Sequence, residues 1–260
     1  MSMDRMIENI VKKQNPTVAG LDPKLSYIPD FIKEKCFEEH GKNLSGAAAA
    51  LLEFNKGLID ALWDLVPAVK PQAAYYELYG WQGVRALSET IAYAKEKGLF
   101  VITDGKRNDI GATMQAYAAA HLGETDVEGE SFTAFGADAL TVNGYLGSDC
   151  IDPLLEVCAK ADKGIFVLCK TSNPSAGEFQ DQMMHAMYEP LYRAMGNMCQ
   201  KWGQRLPGKY GYSGVGAVVG ATYPKQLKEL RHALPDTFFL VPGYGAQGGA
   251  AADVALGFDK

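Results

Sequence analysis

Seven short apolar runs, separated by stretches whose apolar residues recur at helical spacing, constrain the fold of this chain more than any other feature. The runs begin near residues 16, 66, 100, 137, 164, 215 and 237. Strand and helix therefore alternate in one direction, the pattern of a parallel sheet with right-handed crossovers and both faces covered. No G-x-G-x-x-G follows the first run, which favours a closed (β/α)8 barrel over a doubly wound sheet. No linker or break in composition divides residues 1–260, so one barrel domain is expected.

Helices are predicted over residues 3–14, 45–65 (with Leu51, Phe54, Leu58 and Leu62 on one stripe), 79–97, 113–121, 151–161, 188–202 and 225–234. Residues 30–44 read as a polar excursion, and residues 131–136 as the end of a crossover. With 47% hydrophobic and 22% charged residues, the chain can bury a large core. A formal net charge of −6 argues against a nucleic-acid partner, whose footprint would be basic. Five widely spaced cysteines without a C-x-x-C pair suggest neither a disulfide framework nor a zinc site, but reduced, buried small hydrophobes. The charged N-terminus has no apolar leader core, and no run of about 18 apolar residues occurs, so no membrane association and a cytoplasmic location are expected.

The runs end in polar residues, and in a barrel all strand C-termini lie on one face. The most charged of these ends is D-G-K-R-N-D, with Asp104, Lys106, Arg107 and Asp109 where a buried strand gives way to solvent. Residues two apart on a strand share a side, so Asp104 and Lys106 are expected to project together, with Asp109 in the loop beyond. An ammonium between two carboxylates is a poor base and a well-placed proton donor; the plainer alternative is a strand-end ion pair. Lys70 ends the second run just before Pro71, as part of a site or as a snorkelling surface lysine. Asp22 before Pro23 is a turn former or a ligand, and Ser172 and Asn173 are loop polars or ligands. The glycine-rich stretch 243–249 is a candidate phosphate cradle, because glycine lets backbone N–H groups approach an anion and a following helix N-terminus adds its dipole.

Taken in order, V-K-P-Q-A-A-Y-Y-E (69–77), D-G-K-R-N-D-I-G-A-T (104–113), L-T-V-N-G-Y-L-G (140–147), K-T-S-N-P (170–174), V-G-A-V-V-G-A-T-Y-P (215–224) and P-G-Y-G-A-Q-G-G (242–249) resemble the orotidine 5′-monophosphate decarboxylase family, in its longer bacterial branch. The resemblance spans about residues 15 to 250 and implies conversion of orotidine 5′-monophosphate to UMP and CO2 in pyrimidine biosynthesis, on a (β/α)8 TIM barrel. It implies an alternating charge network of Lys70, Asp104, Lys106 and Asp109. Asp109, Ile110 and Thr113 would reach into the site of a second subunit, making a homodimer with shared sites. By the same likeness Asp22 binds the ribose, Ser172 the pyrimidine and Gln247 the phosphate end, while Asn143 faces the substrate.

Decarboxylation at C6 leaves an sp2 carbanion, and the sequence carries neither a pyridoxal nor a metal motif. No cofactor is therefore expected, and stabilisation falls to preorganised charge. The pattern departs from the family at residues 250–260, where an eighth strand and a phosphate-binding arginine are expected and neither is found, so the eighth strand appears as missing from the sequence. Two other readings stay open on these residues: a metal-dependent phosphosugar decarboxylase sharing the D-x-K-x-x-D loop, and a phosphate-ligand-binding barrel without catalysis.

Overall fold

The computed structural model describes residues 2–185, 187–245 and 248–258. Its main sheet has seven strands: β1 (Val18–Leu21), β2 (Ala68–Pro71), β3 (Phe100–Arg107), β4 (Ala139–Val142), β5 (Gly164–Lys170), β6 (Val215–Val219) and β7 (Phe239–Leu240). They are ordered in the sheet as they are ordered along the chain. The β1–β2, β2–β3, β5–β6 and β6–β7 pairings are parallel. Sequential, parallel strands with helices between them are the arrangement of a (β/α) barrel, as the alternation required. Beyond β7 the described residues form a short helix, 251–255, and no eighth strand of this sheet.

The helices are α1 (Ser2–Lys13), α2 (Asp30–His40), α3 (Leu44–Leu62), α4 (Ala73–Glu77), α5 (Gly80–Glu96), α6 (Gly111–Leu122), α7 (Ser148–Ala161), α8 (Gly177–Gln180), α9 (Leu191–Gly203), α10 (Pro224–Ala233) and α11 (Ala251–Ala255). Among the described residues, no helix is long and apolar enough to cross a membrane. The chain divides into two compact units, one of residues 5–105 and 116–140, the other of residues 1–4, 106–115 and 141–260.

In the first unit, α3 and α5 cover β1 and β2 with a core of Leu51, Ile59, Val69, Tyr76, Leu87, Ile91 and Val101. Phe54, Leu58 and Leu62 pack at its margin, so the stripe expected for this helix faces the sheet. Gly83 permits the close approach of α5 to α4: a Cβ there would lie 1.9 Å from the Tyr76 carbonyl oxygen. The buried Tyr76 hydroxyl accepts a hydrogen bond from Asn55 Nδ2 at 2.7 Å, while the buried Asn55 Oδ1 has no partner among the described residues.

The stretch 30–44 is not an excursion. It forms α2, started by Pro29 and closed by Gly41 at φ 83°. Only Cys36 of this helix is buried, so its apolar signal is weak and an i,i+3 pair of Asp30 with Lys33 at 2.7 Å replaces it. Asn43 joins α2 to α3, its Oδ1 accepting from Ser45 N (2.8 Å) and Gly46 N (3.2 Å) while Nδ2 donates to His40 O. Asn43→Ala removes that cap, and urea unfolding should report a loss of about 1 kcal/mol. Residues 125–132 also depart from expectation. They form an antiparallel hairpin around Glu128 (φ 54°) and Gly129 (φ 91°), the two positive φ values of a type I′ turn.

In the second unit, α7, α9 and α10 bury Ile151, Leu154, Leu155, Cys158, Cys199, Leu227 and Leu230 around the apolar β5 and β6. All five cysteines of the chain are free and buried. Burial pushes the Cys158 and Cys169 thiols up to about 12, so they remain protonated and unreactive at neutral pH. The last run, expected over residues 237–242, contributes only Phe239–Leu240 as strand. Arg231 donates to the carbonyls of Leu234 and Thr237, and so satisfies backbone acceptors between α10 and β7.

Candidate active site

In the first unit, the ends of β1, β2 and β3 carry the polar residues. Lys70 is half-buried at the end of β2, and its Nζ lies 2.7 Å from Asp104 Oδ2. The same oxygen accepts from Gln72 Nε2 at 2.9 Å. Asp104 is only 6% exposed, so its carboxylate is held by a cation and an amide in a place where an uncompensated charge would be expensive. The parallel bridge of Gln72 with Asp104 continues the β2–β3 register beyond its ladder and brings these side chains together.

Gln72 had no assigned role in the sequence, although its spacing of two from Lys70 was the available signal. Asp22 is exposed immediately after β1, and its carbonyl accepts from Lys24 N at 2.9 Å. Its carboxylate stands near Gly20, where a Cβ would come within 3.8 Å of Oδ1.

In the second unit, Lys106 is exposed and its backbone N–H donates to Thr141 Oγ1 at 3.0 Å. Its φ is 46°, a left-handed conformation that costs a non-glycine residue about 1–2 kcal/mol. The simple alternation that would send Asp104 and Lys106 to one side of a regular strand is therefore interrupted at Lys106 itself. Backbone strain of this kind concentrates at functional positions.

Asp109 is half-buried, and its Oδ1 accepts from the Ile110 N–H at 2.8 Å. Beside it, Cys150 is pushed up in pKa chiefly by burial, against which a hydrogen bond with the Asp109 backbone acts. Asn143 lies in the same neighbourhood: its N–H donates to Arg107 O at 3.0 Å, and its carbonyl accepts from Cys150 Sγ at 3.5 Å. Asn143 Oδ1 is occupied by the Tyr145 N–H, so this side chain caps the turn 144–146. Ile110 is 50% exposed and Thr113 is exposed at the start of α6.

Ser172 follows β5, half-buried, with its carbonyl accepting from Thr222 Oγ1 at 2.9 Å. In the glycine-rich loop, Gly243, Gly245 and Gly248 have φ of 98°, 79° and 93°, values open to glycine at little steric cost. The loop closes on itself through Gly249 N to Gly243 O and Gly245 N to Gly249 O. Gln247 lies outside the described residues. The expectation that a helix dipole supports an anion here meets a difficulty, because Asp253 Oδ2 already accepts from the Ala250 N–H at the start of α11, a helix of five residues.

Sequential parallel strands with helices between them, and a lysine–aspartate pair at the ends of β2 and β3, define the class as a (β/α) barrel with charged strand ends. The profile of the orotidine 5′-phosphate decarboxylase / HUMPS family matches residues 50–257, and the chain belongs to that family. Among individual relatives, the chain is 44% identical over 257 residues to the orotidine 5′-phosphate decarboxylase of Caldicellulosiruptor bescii, covering 99% of this chain and 84% of the relative. It is 45% identical over 250 residues to that of Rhodopirellula baltica, covering 96% of this chain and 80% of the relative. Among solved structures, the OMP decarboxylase of Leishmania donovani is similar with a TM-score of 0.71 and 32% identity, covering 94% of this chain and 80% of that one.

Proposed function

We propose that this chain decarboxylates orotidine 5′-monophosphate to UMP and CO2, as a homodimer in the cytoplasm. The observation that carries the reading is the near-full-length identity of 44% to a relative named for that activity, joined to a buried Asp104 ion-paired with Lys70 on the strand that also bears Lys106.

The chemistry follows from the charges. The bond from C6 to the carboxylate breaks, its electron pair stays on C6, and CO2 departs. Lys106 donates its ammonium proton to C6, and the amine regains a proton from solvent. Fixed cations aimed at charge that develops only in the transition state lower the barrier without reorganising at the moment of reaction. Asp104, held in place by Lys70 and Gln72, is assigned to the region of the substrate carboxylate, where its charge disfavours the ground state. Asp22 is assigned to the ribose, Ser172 and Asn143 to the ring, and Gln247 with the glycine loop to the phosphate, whose remote binding energy is used at C6. Exposed Ile110 and Thr113 support a second copy as the cover for the Asp109 segment.

Orotidine 5′-monophosphate and a keto-sugar phosphate, offered separately to the purified chain, distinguish this reading from that of a phosphosugar decarboxylase. Loss of orotate absorbance with stoichiometric CO2 is the expected result. Turnover of the sugar phosphate alone would overturn the reading.

A further inference from the structure

The end of β5 holds a cation that none of the assigned roles uses. Lys170 is 0% exposed, its Nζ lies 2.7 Å from Asp181 Oδ1, and Asp181 is 41% exposed. The ammonium also sits 4.2 Å from the centre of the Tyr223 ring and 5.6 Å from that of Tyr192. Burying a lysine is unfavourable unless it is paired, and an apolar residue of similar volume is often neutral or better for stability. The pair is better explained by the geometry it fixes.

That geometry belongs to Ser172, two residues on. Asp181 lies just beyond α8, at the far end of the loop that starts at Thr171, so the ion pair ties the loop's two ends. Gln180 adds a second tie, with Oε1 accepting from Thr171 N (2.9 Å) and Nε2 donating to Thr171 Oγ1 (2.7 Å). From the end of β6, Thr222 Oγ1 donates to Ser172 O, and the Tyr223 hydroxyl donates to Asn173 O at 2.9 Å. Gly220 lets the two segments meet: a Cβ there would lie 2.8 Å from Ser172 Cα and 3.0 Å from Ser172 N. The Ser172 hydroxyl takes no part in these bonds.

We propose that Lys170 is a positioning residue. Through Asp181 and the Tyr223 ring, with Thr222, it fixes the backbone at Ser172 so that the serine hydroxyl is presented to the pyrimidine ring of the substrate. This rests on the assignment of Ser172 to the ring.

The test uses Lys170→Met in the full chain, since the half-exposed Asp181 can be rehydrated when its partner is lost. kcat/KM for orotidine 5′-monophosphate is expected to fall about 100-fold, the scale on which a displacement of about 1 Å acts. Inhibition by UMP should weaken about tenfold, whereas inhibition by ribose 5-phosphate, which has no ring, should be unchanged. In a Ser172→Ala background, Lys170→Met should add little, because both changes remove one interaction. Equal weakening of both inhibitors, or losses that multiply in full, would overturn the proposal and leave a merely structural Lys170. A silent Ser172→Ala would instead overturn the ring assignment, and the proposal with it. Should Lys170→Met fail to fold, Thr222→Val is carried through the same measurements with the same expected and contrary outcomes.

Discussion

Lys106→Ala is expected to abolish turnover of orotidine 5′-monophosphate, by about 10⁴-fold or more, because one substitution removes both the cation proposed to face C6 and the proton proposed to be delivered there. The chain itself should fold as before. Lys106 is exposed, so little packing is lost, and the backbone bond from its N–H to Thr141 Oγ1 does not depend on the side chain. The left-handed φ of 46° burdens alanine as it burdens lysine, so the melting temperature should move by only a few degrees. Steady-state assays of absorbance loss, paired with thermal melts, separate the two effects. Near-wild-type turnover in a folded Lys106→Ala chain would refute the role assigned to this amine.

The second large effect concerns subunits. Asp104→Ala and Asp109→Ala are each expected to be inactive alone, and mixing them after subunit exchange should restore about a quarter of wild-type activity, since half the dimers are mixed and each holds one intact site. The reasoning is that Asp104 acts with Lys70 in its own subunit, to which it is bonded at 2.7 Å, whereas Asp109 is assigned to the site of the partner. Activity measured against mixing time reads this out. No recovery, with exchange verified by mass-tagged subunits, would place Asp109 in its own subunit's site or remove it from the chemistry.

The outline of the fold was legible because buried parallel strands are apolar on both faces and stand out as runs: Ala139–Val142 and Val215–Val219 are buried at every position. Helix α3 was equally plain, since Leu51, Phe54, Leu58 and Leu62 fall on one stripe. What escaped were elements held by something other than burial. Helix α2 buries one residue and relies on its termini and an ion pair. The 125–132 hairpin is exposed at each of its strand positions, so its only sequence signal was Glu128-Gly129 in a two-residue loop.

At the site, residue types at strand ends pointed to Lys70 and Asp104, and the structure joins these two directly. Their partner Gln72 went unread because an amide beside a proline has no chemistry of its own until a carboxylate is found next to it. The conformation at Lys106 was also hidden. In Asp104-Gly105-Lys106 the glycine is the residue that invites a positive φ, yet the lysine adopts it. A strained backbone is set by its surroundings, here including the bond to Thr141 from a neighbouring strand, and one segment's sequence does not reveal it. Lys170 drew no separate reading within K-T-S-N-P, because only the folded chain brings Asp181 and Tyr223 around it.

Fixed charge alone, centred on Lys106, is proposed to carry the decarboxylation. This proposal is tested most directly by following absorbance of orotidine 5′-monophosphate with enzyme dialysed exhaustively against EDTA and assayed in its presence. The account predicts the same kcat as untreated enzyme and no response to added magnesium. Loss of turnover on chelation, restored by a divalent cation, would contradict it.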